Sequence, residues 1–382
     1  MPTKKNKKIL ICIDWFEPAY KAGGPVRSIK NMLELLKSDF DFYILTSDRD
    51  HGDEQAFENV ELNTWIEKDG FSVYYLSQNR QNYKNIADLL EERDYSKYYF
   101  NSLFSLKFTL LPLLILRLKG KTRKVVLAPR GMLGKGALEL KAAKKKLFLS
   151  GSRFLGLYKN IRWHASTQLE ENEIKQAFGS ASKVKVAQNI AQKVGELEPL
   201  VKEDEVRFVF FSRISPKKNL LIAIELFNGM QTGSKKVVFD IYGPVEEKDY
   251  WQKCENAIKN TQGDVQISYR GQLQRAELFK VLSQYHFLLF PTKNENFGHN
   301  IAEALLSGLP VVISDQTPWQ DLEQQKAGWD IPLENTNGFR SAIKRAVEMD
   351  NVEYQQWRNA ARKFAESRLF SEEVIEANKQ LF

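Results

Sequence analysis

A chain of 382 residues with 43% apolar and 27% charged side chains reads as a soluble globular protein long enough for two domains. Two cysteines, Cys12 and Cys254, and four histidines show no metal-ligand spacing. That excludes a disulfide scaffold or a zinc module and predicts a reduced, cytoplasmic chain.

The net charge of +8 is uneven, because residues 117–146 hold eleven Lys or Arg against one acid, Glu139. Such a patch can face nucleic acid, anionic lipid or an anionic substrate, and no nucleic-acid motif accompanies it. The basic start Met1–Lys8 is followed by apolar residues only from Ile9 to Ile13, too few for a signal sequence. The longest apolar run, Phe108–Leu116, is nine residues, whereas a spanning helix needs about twenty.

In chain order, Lys8–Asp14 reads as a buried parallel strand. The loop Trp15–Gly24 leads to a helix opened by Pro25, with Ile29, Met32, Leu33 and Leu36 on its apolar side. Gly23 and Gly24 either serve a tight turn or admit a phosphate or sugar close to the backbone. Asp41–Thr46 is a second strand. Asp48-Arg49-Asp50 after it is a literal DxD, short enough to arise by chance, and is not read as a metal site. Phe71–Leu76 and Tyr98–Phe100 read as strands and Ile86–Glu92 as a helix. Leu103–Leu118 is a mostly apolar helix assigned to the domain core, with contact to a membrane surface as the alternative. Strand Val125–Ala128 ends in Pro129-Arg130-Gly131-Met132-Leu133. Leu138–Leu149 carries Lys141, Lys144, Lys145 and Lys146 among leucines, a basic amphipathic helix. It is either a solvated face or a patch for an anionic or lipid-linked acceptor. Arg162–Thr167 is a strand in which His164 packs, the helix Gln168–Phe178 follows, and Val184–Ala187 closes the first domain.

Residues 191–205 are polar and proline-broken, a linker. Strand–helix alternation restarts at Val206–Phe211, the sign of a second Rossmann-like half. Arg213 and Lys218 follow that strand, before the helix Leu220–Phe227. A guanidinium fork and a mobile ammonium both suit a diphosphate; the alternative is a solvated Lys-Lys turn. Val237–Tyr242 and Val265–Tyr269 are further strands, closed by Gly243-Pro244 and Arg270-Gly271. Phe287–Phe290 is a strand ended by Pro291; a polar loop, a helical pattern on Ile301, Ala304 and Leu305, and the strand Val311–Ile313 follow. The helix start at Gly298 presents unpaired N–H groups and the positive end of a dipole, a seat for phosphate that a glycine lets a ligand approach. Glu295 just before it and Glu303 inside it suit hydroxyls on either side of the phosphates. An ordinary crossover with solvated glutamates is the alternative. The tail from Tyr354 is helical and amphipathic.

Four motifs now stand in order: Ala22-Gly23-Gly24-Pro25, Ala128-Pro-Arg130-Gly-Met-Leu133, Phe211-Ser-Arg213-Ile-Ser-Pro-Lys-Lys218, and Glu295-x7-Glu303 inside Glu-Asn-Phe-Gly-His-Asn-Ile-Ala-Glu-Ala-Leu-Leu-Ser-Gly-Leu-Pro-Val-Val. Together they resemble the group 1 (family 4) retaining glycosyltransferases of the GT-B fold, over most of the chain. The resemblance implies an α/β protein of two Rossmann-like domains facing across a cleft. Residues 1–192 would bind the acceptor, 205–353 the nucleotide sugar, and 354–382 would form a C-terminal helix crossing back to the first domain.

It also implies transfer of a sugar, with its anomeric configuration kept, from a nucleotide-diphosphate-sugar donor to a hydroxyl of a glycan or lipid-linked acceptor. Polysaccharide or cell-envelope glycan synthesis is the implied setting, without metal or other cofactor. Arg213, Lys218 and Glu295 are implied to be catalytic. Gly23, Gly24, Arg130, Asn296, Phe297, Gly298 and Glu303 are implied to contact the donor, with Glu295 at the sugar hydroxyls and Glu303 at the ribose. Relatives often carry a histidine where this chain has Arg130, so a charged contact replaces any histidine role there. The chain would be cytoplasmic, or peripheral at the inner membrane face through 117–146. A nucleotide-sugar epimerase or a noncatalytic sugar-binding protein could share the architecture. A dinucleotide oxidoreductase would want Gly-x-Gly-x-x-Gly after the first strand, and Gly-Gly-Pro does not fit it.

Overall fold

The structure is a computed structural model that describes residues 7–21, 23–134, 142–197 and 199–382. Residues 1–6 of the basic N-terminal run, Ala22 of the Gly-Gly-Pro motif and residues 135–141 of the basic stretch, Glu139 and Lys141 included, lie outside the described residues. The chain divides into two compact units, one reaching Ile190 and taking in Glu372–Phe382, the other Ala191–Ser371.

The first unit holds an eight-stranded sheet: β1 (Lys7–Cys12), β2 (Phe40–Ser47), β3 (Trp65–Lys68), β4 (Phe71–Leu76), β5 (Lys97–Phe100), β6 (Val125–Leu127), β7 (Arg162–Ala165) and β8 (Val184–Val186). Their order is β3-β4-β2-β1-β5-β6-β7-β8, parallel throughout except for the β3–β4 pair. β1 shows why the sheet is buried on both faces. Ile9 and Ile11 feed one core layer and Leu10 and Cys12 the other, the period of two that a pleated strand imposes. Helix α1 (Gly24–Leu36) covers the first layer with Val26, Ile29, Met32, Leu33 and Leu36. Helices α2 (Tyr83–Glu91), α3 (Leu111–Leu118), α4 (Ala142–Phe154) and α5 (Gln168–Phe178) complete the described helices of this unit's main body.

The second unit holds a six-stranded parallel sheet of β9 (Glu205–Phe211), β10 (Lys236–Tyr242), β11 (Val265–Tyr269), β12 (Phe287–Phe290), β13 (Val311–Ser314) and β14 (Gly328–Ile331), in the order β11-β10-β9-β12-β13-β14. Its helices are α6 (Leu220–Glu225), α7 (Lys248–Asn260), α8 (Leu278–Leu282), α9 (His299–Leu306), α10 (Thr336–Glu348) and α11 (Asn351–Leu369). In both sheets the first strand is interior, so the winding reverses beside it: between β1 and β5, and between β9 and β12. Ligands of open α/β sheets bind beyond the carboxyl ends of strands at such a reversal.

Three expectations are corrected. Leu103–Leu118 is not one buried helix. A π-helical turn at Leu106–Leu110 precedes α3, which has Pro112 in its first turn, where a missing N–H costs nothing. Its Leu106, Leu114 and Leu118 are exposed while Leu113, Ile115 and Leu116 are buried. Residues 191–205 are not a loose linker. Ala191, Val194 and Leu200 pack on the second core, and the buried Lys202 ammonium donates to the Val347 carbonyl at 2.9 Å and to that of Met349, closing the end of α10.

The returning segment is also shorter than 354–382. Helix α11 belongs to the second unit, with Tyr354, Trp357, Ala361, Ala365 and Leu369 in its core and Trp357 stacked on Trp329 at 4.6 Å. Only α12 (Glu372–Lys379) and the last residues lie with the first unit. There Asn378 donates to the Gln188 carbonyl at 2.9 Å, and the Phe382 ring meets Phe40 at 5.3 Å.

Candidate functional site

At the winding reversal of the second unit the chain leaves β9 through Ser212-Arg213 and leaves β12 through Pro291-Thr292. Asn219 adopts a left-handed conformation (φ 61°) that Asn tolerates well, and its amide donates to the Pro291 carbonyl at 2.9 Å. Lys293 N–H donates to the Lys217 carbonyl at 2.9 Å. These bonds lock the two loops together and fix where Lys218 points. Its ammonium meets Glu295 Oε1 at 2.5 Å, and both side chains keep only 13% and 12% of their exposure. Thr292 Oγ1 donates to the same carboxylate oxygen at 3.1 Å. Arg213 pairs with Glu246 at 2.6 Å on the surface. The Lys217 ammonium lies within the electrostatic reach of Glu295, Lys218 and Arg213, so the predicted catalytic groups share one place.

Glu303 stands apart from that cluster. It is buried in α9 and takes a 2.5 Å charged bond from Arg275, whose other nitrogen donates to Gln192 at 3.2 Å. Gly298 caps α9 in the left-handed region (φ 79°), and a Cβ there would stand 3.1 Å from Ile301 and 3.2 Å from Trp319. The glycine is therefore demanded by the backbone and by Trp319, not only by an approaching ligand. Phe297 is a core side chain: its ring lies 6.2 Å from that of Trp319, and its carbonyl accepts from Trp319 Nε1 at 2.7 Å. Asn296 is half-buried beside it. Thr292 and Arg275 were missed from sequence. Thr292 sits inside the recognised stretch, whereas nothing around Arg275 marks it as the partner of Glu303.

In the first unit Gly23 precedes α1 with φ 69°, and a Cβ built on it would meet open space. The loop before it is held by Asp50, which accepts from the Tyr20 and Lys21 N–H groups at 2.8 and 3.1 Å. Asp48 pairs with Arg49 at 2.8 Å. The DxD pattern is thus a buried clamp on the glycine loop. Among the described residues no three His, Cys, Asp or Glu side chains come together as a metal-binding group.

Arg130, expected to make a charged contact to the sugar, is tied to protein acceptors on its own unit. Its Nε donates to Asn101 at 2.6 Å, Nη1 to Asn189, and Nη2 to the Tyr99 hydroxyl at 2.8 Å. The relay continues to His164. Its Nε2 lies 2.8 Å from the Ala187 carbonyl and must donate, so Nδ1 accepts from Tyr99 at 2.6 Å. Burial, helped by Arg130, pulls the His164 pKa down to about 3, so the ring is neutral and packed, as its strand position predicted. The next peptide, Gly131 N–H, donates to the buried Glu170 carboxylate at 2.6 Å.

Residues 196–364 match the family described as Glycosyl transferases group 1. Over 160 residues the chain is 28% identical to the UDP-N-acetylglucosamine–peptide N-acetylglucosaminyltransferase GtfA subunit of Streptococcus pneumoniae, covering 40% of this chain and 30% of that relative. Sucrose-phosphate synthase from Thermosynechococcus elongatus superposes with a TM-score of 0.70 at 15% identity, over 98% of this chain and 97% of that one. Anabaena HepE, solved with UDP-glucose, superposes with a TM-score of 0.67 at 18% identity, over 98% of each chain. The chain has the GT-B fold. The match to group 1 glycosyl transferases falls within its second unit, where Arg213 and Lys218 follow β9 and Glu295 follows β12.

Proposed function

We propose that the protein is a retaining glycosyltransferase that moves a sugar from a nucleotide-diphosphate donor to a hydroxyl of a glycan or lipid-linked acceptor. The observation that carries this reading is the Lys218–Glu295 pair, held in a group 1 domain at the winding reversal of a parallel sheet. As the bond from the anomeric carbon to the β-phosphate oxygen breaks, negative charge grows on that phosphate. Lys218, Arg213 and the N–H groups at the start of α9 would receive it, each such donor being worth a few kcal/mol (~3) in a site that excludes water. Lys218 would exchange Glu295 for phosphate, freeing the carboxylate to accept from the sugar hydroxyls. Glu303, oriented by Arg275, would take the ribose. The acceptor oxygen bonds to the anomeric carbon on the face the phosphate leaves, and its proton passes to that phosphate. Charge neutralisation by these side chains would make a metal ion unnecessary.

Cell-envelope or other polysaccharide synthesis, at the inner face of a membrane, is the setting this reading favours. No helix among the described residues is long and apolar enough to cross a membrane, so the placement would be peripheral. Calorimetry with a panel of UDP-, GDP- and ADP-sugars tests the reading. One donor should bind, and Lys218→Gln should weaken it at least about tenfold. No binding by any of them would end it.

A further inference from the structure

The basic stretch 117–146 does not survive folding as one patch. Lys119 and Lys121 pair with Glu91, and Lys124 pairs with Asp94, so α2 and its following loop offset part of the charge of residues 117–124. Arg123 stays exposed there, and α4 carries further exposed lysines. Lys144 and Lys146 are exposed and have no acidic partner among the described residues. From Tyr95 to Leu169 the sequence holds a single acid, Glu139.

The same helix exposes its large apolar side chains. Phe148 and Leu149 turn inward, with Phe148 5.5 Å from Phe104, and they satisfy the core. Leu147 and Phe154, seven residues apart and therefore on one face, are 77% and 92% exposed, and Leu155 is 69% exposed. Arg117 donates to the Leu155 carbonyl at 3.2 Å and to that of Gly156, which ties the last turn of α3 to the end of α4. Leu118, beside Arg117, is 70% exposed, and Leu114 one turn earlier is also exposed. Two helices thus present leucines and a phenylalanine to solvent, rimmed by lysine and arginine.

We propose that this α3–α4 face docks on an anionic lipid bilayer. Leu118, Leu147, Phe154 and Leu155 enter the headgroup boundary, and Lys144 and Lys146 meet lipid phosphates. Apolar side chains entering about 5–10 Å, with lysines on the polar flank, are what holds interfacial helices to such surfaces. A second copy of the same face would set like charges against each other, so the charge selects an anionic surface instead. The inference rests on the peripheral placement proposed above and gives it residues.

The test uses the full chain with vesicles of phosphatidylcholine alone and of phosphatidylcholine with phosphatidylglycerol. The protein should co-sediment with the second and hardly with the first, and binding should weaken steeply as salt rises. Phe154→Ala should weaken binding about tenfold, since a buried phenylalanine side chain is lost. Lys144→Ala with Lys146→Ala should weaken it about tenfold and flatten the salt dependence. All these side chains are exposed, so melting temperatures should not move. No binding to the anionic vesicles, equal binding to both kinds, or a dimer that Phe154→Ala dissolves would each overturn the proposal. Nucleotide-sugar binding measured in the same preparations should be unchanged by these variants. Its absence beside intact vesicle binding would sink the donor reading and leave this one standing.

Discussion

The two units follow one plan, yet the charged residue that follows a strand has opposite meanings in them. In the first, the Arg130 guanidinium donates once from each of its three nitrogens, to Asn101, Asn189 and Tyr99. Three of its five N–H groups are thereby committed to protein acceptors. In the second, the Lys218 ammonium holds one carboxylate oxygen, shared with Thr292, in a place where a phosphate could compete for it. A planar fork with fixed directions suits a lock, and a point charge on a flexible stem suits an exchangeable contact. The contrast is between a guanidinium committed to three protein acceptors and a poised pair.

Replacing each residue separates the two. Lys218→Gln keeps a donor for Glu295 and removes the charge. Turnover should fall on the order of 10²–10³-fold, as for loss of one group that stabilises a developing anion. The melting temperature should hold within a few degrees; normal turnover by the folded variant would put the chemistry elsewhere. Arg130→Ala should act through stability. It leaves three partly or fully buried acceptors without their donor and should cost about 2–4 kcal/mol in denaturant unfolding. Arg130→Lys should recover little of that, because one ammonium cannot reach three partners. If Arg130→Ala unfolds like the parent but loses donor binding, Arg130 is a ligand contact after all.

Each unit also buries a neutral histidine. Burial holds His164 at about 3 and His286 at about 4, below the ordinary 6.5. Arg207 N–H donates to His286 Nδ1 at 3.0 Å, so protonation there would break a backbone bond. With folded values depressed, the unfolded chain binds more protons below about pH 6.5. Stability is therefore full above that pH and drains as pH falls toward 4, by a few kcal/mol in total (~2–3 for each ring). Urea unfolding at a series of pH values should show it. A flat profile over that range would mean that the rings take protons in the folded state without cost.

The fold was legible because its strands are near-continuous apolar runs and its helices follow them in alternation. β3 was not legible, since Trp65-Ile-Glu-Lys68 is a short antiparallel edge strand with half its residues exposed. The length of the returning tail was hidden for another reason. Periodicity shows that 351–369 is an amphipathic helix but not which sheet its stripe covers. The site was legible at Arg213, Lys218 and Glu295, which fall in short motifs on adjacent strands. Arg275 was silent because a partner brought from another loop leaves no local pattern, whereas Thr292 lies only three residues from Glu295 and was passed over as a loop residue. Gly298 was read for a reason that is incomplete: Trp319, twenty-one residues on, fills the space its side chain would take.

The smallest expected effect concerns Arg213. It pairs with Glu246 at the surface, both about two-fifths exposed (43% and 41%). Exposed pairs of this kind contribute about 0–1 kcal/mol, so Glu246→Gln should leave stability within about 0.5 kcal/mol. Its effect on the donor is more telling. If Glu246 competes with phosphate for the guanidinium, its removal should tighten nucleotide-sugar binding about two- to threefold, measured by calorimetry at low salt. High salt should erase the gain, because the competing pair is then already screened. Weaker binding by Glu246→Gln would instead make the carboxylate a donor contact and Arg213 its positioning residue. The poised region would then extend across to the β10 side of β9, and the line between committed and exchangeable groups would have to be redrawn there.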